Sequence, residues 1–131
     1  MEISKQNPLV DLPEVFEDAR GKLEPLIDDL DMKSAILITS HRGALRANHY
    51  HKTDWHYCYL LTGEMEYGWR EVGSQQPPQC ITVHMGEMIF TPAMMEHAMR
   101  FTEDSVFLAL SGNPRDQLSY ENDLVRVELF S

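Results

Sequence analysis

Residues 43–63 read Gly43-Ala44-Leu45-Arg46-Ala47-Asn48-His49-Tyr50-His51-Lys52-Thr53-Asp54-Trp55-His56-Tyr57-Cys58-Tyr59-Leu60-Leu61-Thr62-Gly63. His49, His51 and His56 fall within eight residues. Imidazole is the commonest protein ligand for Zn, Ni, Cu and Fe, and ordinary sequence rarely places three so closely. The stretch divides into two β-type runs, 45–51 and 56–61, joined by a polar turn and closed by Thr62-Gly63. Strand side chains alternate between faces, so a strand over 45–51 points His49 and His51 to the same side. The turn then sets His56 at the head of the neighbouring strand.

Outward from this stretch, short β-type runs dominate, at 34–39, 64–70, 80–83, 88–91, 97–101, 106–111 and 124–129. Within 64–70, Met65, Tyr67 and Trp69 alternate with Glu64, Glu66 and Gly68, the pattern of a half-buried strand. Eight or more such strands at close spacing predict an all-β antiparallel sandwich or barrel. Helical periodicity is weak. Residues 12–20 are expected to form a short helix or turn, with Asp11 as cap and Pro13 in its first turn. Residues 72–78 and 112–121 read as loops by composition. The last strand, 124–129, is a candidate to pair across a subunit boundary. The chain is read as one domain, an N-terminal arm to about residue 33 and a barrel to about residue 129.

A hydrophobic share of 43% with 24% charged residues is that of an ordinary globular protein. The net charge of -10 argues against nucleic-acid binding and against an anionic membrane surface. It leaves room for an anionic small molecule held by a local arginine. Cys58 and Cys80 are too few for a disulfide framework and lack CxxC spacing. Residues 1–6 show no basic start followed by an apolar run, and the longest apolar runs, 35–38 and 106–110, are too short to span a bilayer. The expectation is a cytoplasmic protein with reduced thiols.

The fourth histidine of interest, His97, follows a Gly86…Pro92 element. His41 and His84 sit at turn edges and read as surface residues. Gly43-(five)-His49-Tyr50-His51-(four)-His56-(six)-Gly63 resembles the first cupin motif, G-x5-H-x-H-x4-E-x6-G, at every spacing, with His56 in place of the usual Glu. Gly86-(five)-Pro92-Ala93-Met94-(two)-His97 resembles the second motif, departing at Met94 (usual Gly) and Phe101 (usual Asn). The resemblance implies a double-stranded β-helix, or jelly-roll, cupin barrel holding a metal through His49, His51, His56 and His97. Imidazole in place of carboxylate at residue 56 removes a negative charge from the ligand set. It shifts preference from Mg and Mn toward Zn, Ni, Fe or Cu.

A second resemblance lies in Asp18-Ala19-Arg20-Gly21 followed by Arg46-Ala47-(one)-His49-Tyr50-His51. It is similar to the layout of small cupins that isomerise or epimerise nucleotide-linked keto sugars, with Ala47 where that layout has Gly. The resemblance implies that Arg20 contacts nucleotide phosphates, that Arg46 faces the substrate, and that His51 or His49 moves a proton. Glu96 and Tyr59 are further acid–base candidates, by proximity in sequence. Cupins of this size commonly pair through edge strands, so a homodimer is expected.

Three classes stay open: a metal-assisted isomerase or epimerase of a carbonyl sugar, a metal-dependent dioxygenase of a small metabolite, and a non-catalytic small-molecule-binding cupin. Met85, Met88, Met94, Met95 and Met99, together with Trp55 and Trp69, are read mainly as packing. Cys58 shares strand parity with His56 and is read as a small buried hydrophobe.

Overall fold

The computed structural model describes residues 7–28, 30–114 and 116–131. Residues 1–6, read above as carrying no leader, lie outside them. The β-type runs form strands β1 (Phe16–Asp18), β2 (Gly21–Leu23), β3 (Ser34–Ser40), β4 (Leu45–His51), β5 (His56–Thr62), β6 (Glu64–Glu71), β7 (Gln79–His84), β8 (Met88–Thr91), β9 (Met95–Phe101), β10 (Ser105–Ser111) and β11 (Leu124–Arg126), with one helix, α1 (Gln117–Asp123), before β11.

Two antiparallel sheets carry the fold, one in the order β3-β10-β5-β8 and the other β11-β4-β9-β6-β7. Their inner faces meet in one core. Cys58, Leu60, Ile89 and Phe107 from the first sheet pack with Met65, Tyr67, Trp69, Val83, Met99 and Phe101 from the second. Strand alternation explains this membership: Met65, Tyr67 and Trp69 point inward and their neighbours outward, as the sequence pattern required. The outer face of the first sheet is apolar as well. Tyr57, Met88 and Leu110 are buried there beneath the N-terminal arm, against Val10, Leu12, Leu26, Ile27 and Leu30. The arm also closes the sheet edge, since Val10 N–H donates to the Met88 carbonyl (2.9 Å) and Phe90 N–H to the Pro8 carbonyl (2.9 Å).

Three expectations need correction. Residues 12–20 form no helix; β1 and β2 make a hairpin instead. Its turn is set by Asp18, whose carboxylate accepts the Arg20 N–H (2.9 Å), and by Gly21 at φ 132°. A short polar side chain bonding its own backbone two residues on competes with helix formation. Residues 112–121 are not all loop: Asp116 caps α1 by accepting the Ser119 N–H (3.0 Å). The last strand is shorter than 124–129: it spans Leu124–Arg126, pairs on one side with β4, with Leu124, Val125 and Arg126 opposite His51, Tyr50 and His49, and stands at the edge of its sheet. No helix among the described residues is long and apolar enough to cross a membrane.

Candidate functional site

Strands β4, β5 and β9 bring the four histidines together between the sheets. The His49 ring centroid lies 4.8 Å from those of both His51 and His97. His56, at the head of β5, lies 5.0 Å from His97 and 5.5 Å from His51. One ring nitrogen from each of His49, His51 and His97 falls within 4.8 Å of the other two, a spacing open to a metal ion. His56 stands beside this triad rather than in it. The rings face a cavity of about 140 Å³ that has Arg46, Asp54 and Tyr120 on its polar side. Ile36, Ile38, Cys58, Met99, Phe107 and Ala109 give it an apolar floor.

The protonation of two rings follows from their partners. His97 Nδ1 lies 3.0 Å from the Met95 carbonyl, which can only accept, so Nδ1 carries the proton. Its Nε2 is left with a bare lone pair, buried and without a hydrogen-bond partner among the described residues. Tyr67 stacks on the same ring (6.3 Å between centroids) and is itself tied to Thr91 (2.6 Å), so His97 is fixed on that side too. Burial lowers the His97 pKa to about 4, further depressed by His51 and opposed by the Met95 hydrogen bond; the ring is neutral at physiological pH.

His51 is set differently. Its Nδ1 donates to Asp123 Oδ2 at 3.1 Å, and both residues are buried. Asp123 also accepts from Thr53 N–H (2.7 Å), Thr53 Oγ1 (2.8 Å) and Asp54 N–H (3.1 Å). Burial works to raise the Asp123 carboxyl, but these donors outweigh it and hold the group below the ordinary carboxylate range. A carboxylate fixed as an anion on Nδ1–H leaves the lone pair of His51 on Nε2 and stabilises the ring when Nε2 takes a proton. Asp54, on the cavity wall, goes the other way. Burial pushes its carboxyl up, against the Asn113 N–H (2.9 Å), the nearby His51 and the Trp55 N–H, while the Asp123 charge adds to the rise.

The other sequence candidates divide. Arg46 lines the cavity, its guanidinium held by Ser40 Oγ (2.7 Å) and the Thr39 carbonyl (2.9 Å) of β3. Arg20 lies on the exposed β1–β2 hairpin, paired with Asp18 (2.8 Å), and is absent from the cavity lining. Tyr59 packs on the outer face of β5 against the arm. Glu96 points away from its neighbour His97 and accepts from Arg70 Nε (3.0 Å) and Nη2 (2.8 Å). Neither Tyr59 nor Glu96 lines the cavity.

Three site residues escaped the sequence reading. Asp54 sits in the turn between two histidines and was read only as turn. Both Tyr120 and Asp123 come from α1; Tyr120 falls in the stretch 112–121 whose composition read as loop, and Asp123 between that stretch and the run at 124–129. Tyr120 has its ring centroid 5.8 Å from His51 and 6.4 Å from His49. A short-range pattern cannot reveal a partner 72 residues away.

No family model and no curated protein matches the chain. Solved structures do. A 3,4-ketoisomerase from Thermoanaerobacterium thermosaccharolyticum, crystallised with TDP, is 22% identical with a TM-score of 0.74, over 95% of this chain and 89% of that one. Another variant of that enzyme was solved with TDP-4-keto-6-deoxyglucose. A 3,4-ketoisomerase from Helicobacter canadensis is 18% identical with a TM-score of 0.75, over 90% and 88% of the two chains. A 3'-monoepimerase from Streptomyces bikiniensis, in complex with dTDP-quinovose, is 17% identical with a TM-score of 0.73, over 90% and 70%. The two sheets, their connections and these neighbours agree on the fold: the chain is a jelly-roll β barrel, the architecture it shares with these solved structures.

Proposed function

We propose that this chain isomerises or epimerises a keto sugar carried on a nucleotide, by moving a proton next to the carbonyl. The observation that carries the reading is the buried Asp123–His51 pair, which leaves the His51 Nε2 lone pair beside a cavity with an apolar floor. Nε2 takes the proton from the carbon next to the carbonyl, and the C–H pair moves into an enolate or enediolate. Asp123 stabilises the imidazolium so formed. Returning the proton to the former carbonyl carbon, while the proton of the neighbouring hydroxyl passes to the former carbonyl oxygen, isomerises the sugar; protonation of the original carbon from its opposite face epimerises it. Arg46 supplies a positive charge on the cavity wall for an anionic substrate, and the Tyr120 ring bounds the same space.

A divalent transition metal, Zn, Ni, Fe or Cu, is the second reading. The buried Nε2 of His97, which has no hydrogen-bond partner among the described residues, favours it. So does the pattern of ring N–H groups tied to a carbonyl at His97 and to a carboxylate at His51, the usual support of metal-binding imidazoles. His49, His51 and His97 would hold the ion with His56 beside them, and the ion would supply Lewis-acid polarisation of a carbonyl oxygen. Both readings draw on His51, so metal content separates them.

A homodimer belongs to the same proposal. The β1–β2 hairpin pairs with no other strand among the described residues and exposes Val15, Phe16 and Leu23. A two-stranded ribbon is marginal alone. Seated on a second copy, it would be covered and could bring Arg20 to the partner's cavity.

The test is incubation of the full chain with TDP-4-keto-6-deoxyglucose in D₂O, followed by proton NMR, with elemental analysis of the same sample. Deuterium entering at the carbon next to the carbonyl, abolished in His51→Asn, supports the first reading. Absence of exchange with this and other nucleotide-linked keto sugars overturns it. Stoichiometric metal lost in His97→Ala supports the second.

A further inference from the structure

Strand β4 carries one residue more than its partner. Its register with β9 sets Arg46 opposite Met99 and His49 opposite His97, with a shift between Ala47 and His49. Met99 and His97 are two residues apart and share a face. Arg46 and His49, three apart, therefore share that face only because a bulge takes up the extra residue. Without it, alternation would send Arg46 and His49 to opposite sides of the sheet. With it, Arg46, His49 and His51 all line the cavity. Ala47 and Asn48 make the bulge in the left-handed region, at φ 68° and 55°, which residues other than glycine adopt reluctantly.

Segment 127–131 holds that conformation from the other side of the sheet. The Asn48 carbonyl accepts the Val127 N–H (2.9 Å). Its Oδ1 accepts the N–H groups of Leu129 (3.1 Å) and Phe130 (3.0 Å), and its Nδ2 donates to the Phe130 carbonyl (3.0 Å). Phe130 is anchored in turn. It packs against Gly68 of β6, where a methyl group would lie 2.5 Å from Phe130 Cζ. The Arg100 guanidinium stands over its ring at 5.1 Å and donates to the Ser131 carbonyl. Gly68 alternates with Tyr67 and Trp69, which are buried in the core, so Phe130 lies on the outer face, away from the cavity.

We infer that Asn48 is a positioning residue and segment 127–131 a strap, which together hold the β4 bulge and so set Arg46 and His49 on the cavity side. Ligand recognition on the inner face of the sheet then depends on Phe130 on the outer face. The inference rests on the keto-sugar reading only for its binding probe, TDP.

Two measurements on the full chain test it: long-range ¹H–¹⁵N spectra of the histidine rings, and TDP titration by calorimetry. Asn48→Gly keeps the left-handed backbone accessible and deletes the side-chain bonds; Phe130→Ala removes the anchor and leaves Asn48 intact. Both are expected to shift or broaden the His49 ring signals while those of His56 and His97 stay in place. Both are expected to weaken TDP binding about tenfold, the scale of one weakened hydrogen bond to a charged group such as Arg46. Asn48→Asp, which keeps the acceptors and loses the donor, is expected to fall between them and wild type. Unchanged His49 signals and TDP affinity in both variants would overturn the inference, as would equal changes at all three histidines, which mark general loosening. Where Asn48→Gly does not fold, Phe130→Leu carries the same comparison. If wild type binds no TDP, the keto-sugar reading fails, and the His49 spectra still decide the strap.

Discussion

Residues 43–101 and residues 112–131 contribute to one site in different ways. The first segment supplies the four imidazoles from regular strands at fixed spacings. The second supplies Asp123, Tyr120 and the strap, from a short helix and an irregular segment. Ring positions come from strand periodicity; the proton of His97 is fixed locally by the Met95 carbonyl, whereas that of His51 is fixed by Asp123, 72 residues away. A histidine motif alone therefore marks where chemistry can occur, and for His51 the remote segment decides which nitrogen is available for it.

The comparison is broken most directly by removing the ring itself. His51→Asn is expected to lower turnover of a nucleotide-linked keto sugar by roughly 10³-fold, within the ~10²–10⁴ usual for a lost acid–base group. Deuterium exchange into substrate measures it, and turnover within tenfold of wild type would remove His51 from the mechanism. Asp123→Asn sharpens the comparison from the remote side. The amide no longer fixes Nδ1–H or stabilises the imidazolium, so turnover is expected to fall roughly 10²-fold with the Kd for TDP nearly unchanged. Equal losses in binding and turnover would instead mark Asp123 as a support of the turn at Thr53 and Asp54, both of which it also accepts from.

The division also explains what was legible. The spacing of His49, His51, His56 and His97 survives in sequence because strand geometry is periodic, and β4 was bounded correctly at Leu45–His51. Even there the reading was incomplete. Two-residue alternation places His49 with His51, yet it would put Arg46 on the other face, and only the bulge at Ala47 and Asn48 reconciles them. The hairpin at Phe16–Leu23 was missed because its turn rests on one Asp side chain rather than on a repeating pattern. Helix α1 was missed because its seven residues are too few to show a period, and its cap, Asp116, also suits a loop. Glu96 and Tyr59 show the limit of nearness in sequence: each adjoins a site strand position, and each faces away.

A smaller effect is expected in stability against pH. The unfolded chain carries His97 at about 6.5, the ordinary value, and the folded chain at about 4. Below 6.5 the unfolded state therefore binds the proton first, and stability is lost as pH falls toward 4. The loss amounts to roughly 1.4 kcal/mol per pH unit across that window, before other groups add their own terms. Urea unfolding of chelator-treated protein at pH 7 and pH 5 measures it. The drop should shrink in His97→Gln; an equal drop in both proteins would assign the acid sensitivity elsewhere.

The smallest effects are expected at the two residues that the structure turns away from the cavity. Glu96 closes an ion pair with Arg70 across β9 and β6, through one carboxylate oxygen that meets two guanidinium nitrogens. Glu96→Gln keeps the shape and loses the charge, so it is expected to lower stability by about 1–2 kcal/mol, the worth of a charge-assisted hydrogen bond. Turnover should stay within about twofold, because no reacting group changes. Tyr59→Phe, on the outer face of β5 beneath the arm, should leave turnover equally unmoved. A loss beyond tenfold in either variant, at unchanged melting temperature, would mean that the catalytic space extends past the cavity beside the four histidines. The assignment of protonation to His51 and Asp123 would then have to be shared with the far side of the strand.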